Sequence, residues 1–239
     1  MNKNNMELRR NFLRGITAGV SGLALSFCSR GGKGTASGEG VSVPKEEVSP
    51  AEDLMREHGI LKRVILIYRE AISRLDANQE LPPEVLKDSA SLIRHFIEDY
   101  HEKLEEDYLF PRFRKANRLV ELVDTLTTQH LRGRIVTDAI QHLATNTAPK
   151  NPEDRRRLRD LLERFIRMYE PHEAREDTVL FPAFRQIVSA REYDALGEDF
   201  EKKEHQLFGE DGFERNVAEV ARIEKVLGIY DLSTFTPPG

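Results

Sequence analysis

Two stretches of this chain carry residues that could bind a metal ion. From His101 the chain reads HEKLEEDYLFPRFR and from His172 it reads HEAREDTVLFPAFR, with eight of the fourteen positions identical. Each copy sets a His four residues before a Glu, as His101–Glu105 and His172–Glu176. On a helix that spacing is about one turn, so both side chains point the same way. A His and a carboxylate stacked on one helix face can chelate a metal.

Further histidines stand upstream at matched distances. His58 precedes His101 by 43 residues and His130 precedes His172 by 42. The chain therefore reads as two copies of one hairpin, each a helix with a lone His followed by a helix with His-x-x-x-Glu. The helices that must position these groups follow from apolar residues at steps of three and four. Helix A is expected over about Pro50 to Asp76, with His58 inside a stripe of Leu54, Leu61, Ile65 and Tyr68. The Leu81-Pro82-Pro83 break leads to helix B, whose face carries Leu86, Ile93, Ile97, His101 and Glu105 and which should end or kink at Pro111. Helix C starts near Asn117 and places His130 with Leu126, Thr137 and Ile140. Helix D carries Leu158, Phe165, Tyr169, His172 and Glu176 before Pro182. The predicted fold is all-α, an up-down four-helix bundle over residues 51–187 with additional C-terminal helices in 188–239.

The stripes turn His58, His101, Glu105, His130, His172 and Glu176 inward. Six buried titratable groups without partners would be very costly, and no Arg or Lys is evident on those stripes to offset them. A metal centre satisfies all six. Nitrogen and oxygen donors without sulfur suit iron, manganese or zinc, and carboxylates placed to bridge suit a di-iron or di-manganese pair.

The pattern resembles the hemerythrin-like, HHE cation-binding family. The resemblance rests on His58 within Met55-Arg56-Glu57-His58, on Gln129-His130, and on the two His-Glu-x-x-Glu…Leu-Phe-Pro segments. It implies a four-helix bundle around a non-haem di-iron centre, with Glu105 and Glu176 bridging and the four histidines as terminal ligands. One feature departs from the pattern. Oxygen-carrying members have a fifth His one turn from the third-helix His, where this chain has Leu126 and Arg134. An open position favours reaction with oxygen, peroxide or nitric oxide, or a sensing or storage role, over simple oxygen carriage. His205, one turn after Glu201, is a candidate additional ligand delivered by a fifth helix; the alternative is an exposed or capping His.

Other residues in these helices take structural readings. Glu102 and Glu173 lie about 100° around the helix from the ligand His, as surface groups or groups that orient an imidazole. His95 and His142 fall off the ligand faces and are expected in solvent. The Leu-Phe-Pro segments read as core plugs and helix ends. The tyrosines, Tyr169 among them, read as packing groups, with a redox relay as the alternative.

The first 28 residues look like an export signal. Arg9-Arg10-Asn11-Phe12-Leu13-Arg14 resembles the twin-arginine consensus and precedes a Gly-rich apolar stretch too short for a stable span. That route carries folded proteins, which suits a chain that acquires its metal before export to the periplasm or beyond. Cys28, the one cysteine, follows Leu25-Ser26-Phe27 in a partial lipoprotein box whose Phe27 stands where a small residue is usual, so a lipid anchor is an alternative. Residues 29–50 read as a flexible linker. The chain has 239 residues and a net charge of −5, so nothing suggests a nucleic-acid partner, and contact with a membrane would come only through the signal or the anchor.

Three functions fit these observations. The chain is an exported binding protein for oxygen, another diatomic ligand or iron itself; or a di-iron oxidoreductase acting on peroxide, nitric oxide or oxygen; or a helical bundle whose histidines are relics.

Overall fold

A computed structural model describes residues 48–145, 151–237 and 239 of the chain. The expected signal, Cys28 and most of the expected linker lie outside the described residues. Those described are helical and include no strand, as the periodicity predicts. No described helix is long and apolar enough to cross a membrane.

Helix α1 is Pro50–Asp76. The Ser49 hydroxyl accepts the Glu52 amide at 3.3 Å, Pro50 opens the first turn, and Glu52 and Asp53 complement the helix dipole. Helix α2 spans 83–115 in several segments: Pro83–Leu92, a π-helical stretch Ile93–His101, one α turn Glu102–Leu104, a second π turn Glu105–Leu109, and Phe110–Lys115. Helix α3 is Val120–Thr145. Helix α4 spans 152–187, as Pro152–Arg175, a π turn Glu176–Leu180 and Phe181–Ile187. It starts on Asn151, whose side chain accepts the Asp154 amide at 2.8 Å. Helices α5 (Ala190–Phe208) and α6 (Gly212–Leu227) follow.

Three boundaries differ from expectation. The helix expected to end or kink at Pro111 continues to Lys115, and α4 likewise runs past Pro182 to Ile187. A proline inside a regular helix clashes with the carbonyl four residues back and lacks an amide to donate. Here a π turn stands immediately before each proline: the Phe110 amide reaches back to the Glu105 carbonyl and the Phe181 amide to that of Glu176. The wider turn moves the offending carbonyl away from the ring. The start of α3 falls at Val120, not Asn117, because Asn117 (φ 50°) and Leu119 (φ 52°) take left-handed backbone angles that reverse the chain.

Helix α1 packs on α2 and α4, and α3 packs on the same two, which closes a ring of four. The His58 and His101 rings are 4.7 Å apart although His58 lies early in α1 and His101 late in α2, as antiparallel neighbours require. The core runs along this ring through Leu54, Leu61, Ile65, Ile97, Leu104, Leu126, Ile140, Phe165 and Leu162. Helix α6 lies on α1 and α2, burying Val220, Ile223 and Leu227 and joined by Arg63 to Glu224. Helix α5 lies on α1, and its Phe208 packs against Phe96 and Tyr100 of α2. The C-terminal helices thus cover the outer face of α1 and α2.

Candidate metal centre

The stripes that build the ring carry the six predicted ligands to one level of the core. His58, His101, Glu105, His130, His172 and Glu176 are all at most 4% exposed. Their inner atoms converge. The Nε2 atoms of His58 and His172 lie 3.3 and 3.1 Å from Glu176 Oε2. Those of His101 and His130 lie 3.9 and 3.5 Å from Glu105 Oε2. The rings form two pairs, His58 with His101 and His130 with His172, the second 5.0 Å apart. Each carboxylate reaches one imidazole of each pair, the arrangement bridging ligands need. Potential donor atoms of His58, His101, Glu105 and Glu176 lie within 4.8 Å of one another, as do those of His130, His172 and Glu176.

Whether these residues fit a metal can be judged from their own atoms. On the predicted ligands, six buried atoms have no hydrogen-bond partner among the described residues: Nε2 of His101 and of His130, and both oxygens of Glu105 and of Glu176. Each such atom costs about 1–3 kcal/mol, so the set costs on the order of 10 kcal/mol, as much as a typical domain's whole stability. A pair of cations bound by these donors removes the cost, and the donor set of imidazole nitrogen with carboxylate oxygen suits a first-row metal. The residues fit.

The outer nitrogens are spoken for. His58 Nδ1 donates to Asp177 at 2.7 Å, His101 Nδ1 to Glu57 at 2.8 Å, His130 Nδ1 to Glu106 at 3.1 Å and His172 Nδ1 to Gln129 at 2.8 Å. Such bonds make Nδ1 the outer donor and turn Nε2 inward, and they raise the basicity of the ligand. Their pattern repeats with the hairpin. The residue before each lone His, Glu57 or Gln129, holds the imidazole of a His-x-x-x-Glu motif. The residue after each ligand Glu, Glu106 or Asp177, holds a lone His. All four stand beside predicted ligands in the sequence, and that adjacency was the available signal.

Electrostatics follow from burial. Burial pushes the Glu105 carboxyl well above the usual range, with Glu176 and Glu102 adding to it. Burial also acts on Glu176, but the His172 and His58 imidazoles overcome it and hold that carboxyl well below the range. Burial holds His101 well below the usual imidazole value and His130 down to about 4, so neither carries a proton on its lone pair at neutral pH. For His58 burial is outweighed by its bond to Asp177 and by the nearby Glu176 carboxylate, and its value rises to about 9.

Several neighbours differ from expectation. Glu102 and Glu173 are buried, not on the surface. Glu102 accepts from the Tyr169 hydroxyl at 2.8 Å and pairs with Arg134 at 2.8 Å. Arg134 also meets Glu106 at 2.8 Å, so a cation does reach the ligand stripes, from the very position where the fifth His is missing. The phenylalanines of the two Leu-Phe-Pro segments stack on ligand imidazoles, Phe110 on His130 at 5.4 Å and Phe181 on His58 at 5.5 Å. His95 and His142 are exposed, as expected. His205 is not brought to the centre; its Nε2 lies 4.0 Å from Glu201 on the same helix.

Comparison with known proteins agrees with this geometry. The model of the hemerythrin HHE cation-binding domain matches residues 49–183 and again 122–228. Among curated proteins, uncharacterised proteins of Mycobacterium tuberculosis and Mycobacterium bovis are 49% identical over 232 residues, covering 96% of this chain and 91% of theirs. No solved structure matches. A helical ring that turns four histidines and two glutamates onto one buried point, matched over the same residues by that domain model, places the chain in the hemerythrin HHE cation-binding family.

Proposed function

We propose that the chain holds a non-haem di-iron centre and binds oxygen or another small diatomic ligand there. The observation that supports this reading is the set of six orphaned donor atoms, divided between two imidazole pairs and two carboxylates that reach across both. Two iron ions supply an exchangeable coordination position and a reversible change of oxidation state. The chain's own residues do the rest. His58 and His101 would hold one ion, His130 and His172 the other, and Glu105 and Glu176 would bridge them. Asp177, Glu57, Glu106 and Gln129 keep the imidazoles oriented. Phe110 and Phe181 exclude water from the faces of His130 and His58. Manganese or zinc would fit the same donors; bridging carboxylates with imidazole favour iron.

The second reading is an oxidoreductase acting on peroxide, nitric oxide or oxygen. It draws on Tyr169, a fully buried phenol whose ring is 5.5 Å from that of His172 and whose hydroxyl has a carboxylate partner in Glu102. Export through the twin-arginine route to the periplasm belongs to the proposal too, motivated by Arg9-Arg10 and the apolar stretch that follows; retention in the cytoplasm of both the native chain and an Arg9→Lys/Arg10→Lys variant would refute it.

The deciding experiment is to count iron in the purified protein and record its absorption before and after exposure to oxygen. About two irons per chain and a reversible oxygen-dependent band are expected. Sustained turnover of peroxide or nitric oxide would favour the second reading. Metal well below one per chain, unchanged in His101→Ala, would refute both.

A further inference from the structure

The two hairpins place a cation at equivalent points beside the centre, and the two cations are held differently. Lys62 follows His58 by four residues, as Arg134 follows His130. Each spans the first Glu of a His-Glu-x-x-Glu motif and the acid after its ligand Glu. Arg134 spans Glu102 and Glu106 of α2, and Lys62 spans Glu173 and Asp177 of α4. On the Arg134 side the groups are tied down. Its guanidinium meets both carboxylates at 2.8 Å and donates to the Glu98 carbonyl at 3.1 Å. Tyr169 donates to Glu102 at 2.8 Å, and Lys103 donates to Glu106 at 2.9 Å. On the other side, the Lys62 ammonium donates to Asp177 at 3.4 Å and stands 4.0 Å from Glu173. Its side chain is 53% exposed, against 21% for Arg134. The residue equivalent to Tyr169, three before the motif His, is Glu98, which turns to Thr137 and Arg94 instead. Glu173 is 4% exposed, and its Oε2 has no hydrogen-bond partner among the described residues.

Building on the di-iron reading, we propose that divalent metal ions enter the centre through the seam between α1 and α4, displacing the Lys62 ammonium and stopping on Glu173 and Asp177 before they reach His58 and Glu176. A half-exposed ion pair is weak, and an ammonium on a flexible stem swings into water without breaking other bonds. A divalent ion brings twice its charge to the same two carboxylates. Asp177 joins the surface to a ligand, since its side chain is 21% exposed and accepts from His58 Nδ1 at 2.7 Å. Glu173 and Asp177 stand three residues before and one after Glu176, whose Oε2 is 3.3 Å from His58 Nε2. Two carboxylates against one ammonium favour cations over anions along this route. The Arg134 fork keeps the equivalent seam beside His130 closed, because its charge-assisted bonds must break together.

The test follows Co²⁺ uptake by the full chain after chelation, read by stopped-flow absorption, with the final Co²⁺ content counted by elemental analysis. Lys62→Arg puts a guanidinium fork within reach of Glu173 and Asp177. It is expected to slow uptake by roughly 10-fold, the factor that one further charge-assisted hydrogen bond is worth. Glu173→Gln should slow uptake too, because it removes a charge from the route. Both variants should end with the native Co²⁺ content, which also shows that they fold. Uptake at the native rate in either variant overturns the passage and leaves the di-iron reading standing. A lower final content in Glu173→Gln would make Glu173 a ligand of the filled centre and overturn its place on the route. No Co²⁺ bound by the native chain removes both the passage and the centre.

Discussion

Three of the four ligand imidazoles lean on a carboxylate at their outer nitrogen; His172 alone leans on an amide, that of Gln129. A carboxylate makes the imidazole a stronger donor than an amide does, so the two metal positions are chemically unequal. Glu57→Gln is expected to weaken metal binding at the His58–His101 pair by roughly 10-fold, and Gln129→Glu to tighten it at the other pair, both read by competition against a chelator of known affinity; no change in either variant would show that these bonds do not tune the site. Gly133 makes a separate demand. A Cβ there would fall 2.0 Å from the Tyr169 hydroxyl, which is buried and cannot retreat without giving up Glu102. Gly133→Ala should therefore cost about 1–3 kcal/mol in urea denaturation, and Gly133→Ala combined with Tyr169→Phe should recover part of it. At this scale the six inward groups were legible because a His or Glu inside an apolar stripe is conspicuous. Glu57, Gln129, Glu106 and Asp177 were not. Each acts on an imidazole of another helix, and only the register between helices decides which.

Elements were legible where periodicity is regular and lost where it shifts. Helix α1 has the expected bounds because a cap, a proline and a continuous stripe agree. Pro111 and Pro182 misled because the π turns before them carry no residue type of their own. On α5, the inward residue is Glu204 and not its neighbour His205. Tyr193, Leu196 and Phe200 define the buried face, and Glu204 continues it. The stripe was in the sequence, but a His draws attention that a Glu among many does not. Between α2 and α3, Glu98 is fully buried, accepts from Thr137 at 2.6 Å and pairs with Arg94 at 2.7 Å. Burial nevertheless raises its carboxyl from 4.5 to about 7, against Thr137 and the two arginines Arg94 and Arg134. Below the unfolded value of about 4.5 both states carry the proton and the group exerts no pH effect. Between there and about 7 only the folded state holds it, so stability falls as pH rises through that window. Glu98→Gln cannot ionise, and its stability relative to the native chain should grow from pH 5 to pH 8 by on the order of 2 kcal/mol, measured by urea melts at both values. A difference independent of pH would place Glu98 in its ionised form throughout.

For the molecule as a whole, the four-helix ring was evident from the doubled hairpin, while the placement of α5 and α6 over α1 and α2 was not, since nothing in their stripes names the face they cover. The ring gathers six uncompensated polar atoms of its ligand residues at one level, so its stability is tied to what binds there. Metal removal by a chelator is expected to lower the melting temperature by 10 °C or more, from about 3–4 kcal/mol of linkage at saturating metal, and His101→Ala should already melt near the stripped value and respond little to the chelator. A melt that ignores the metal would mean the six donors find other partners. The doubled π turn carries a last consequence. Each of the two motif helices holds one residue more than a regular α-helix would need between its ligand Glu and its stacking Phe, so the motif is intolerant of shortening. Deleting Asp107 would restore an ordinary turn and swing one side of α2 by about 100° against the other, leaving Phe110 unable to cover His130 while Glu105 still faces the core. Length, and not only residue identity, is thus under constraint between Glu105 and Phe110, and between Glu176 and Phe181: in both copies the count of residues is itself part of the binding site.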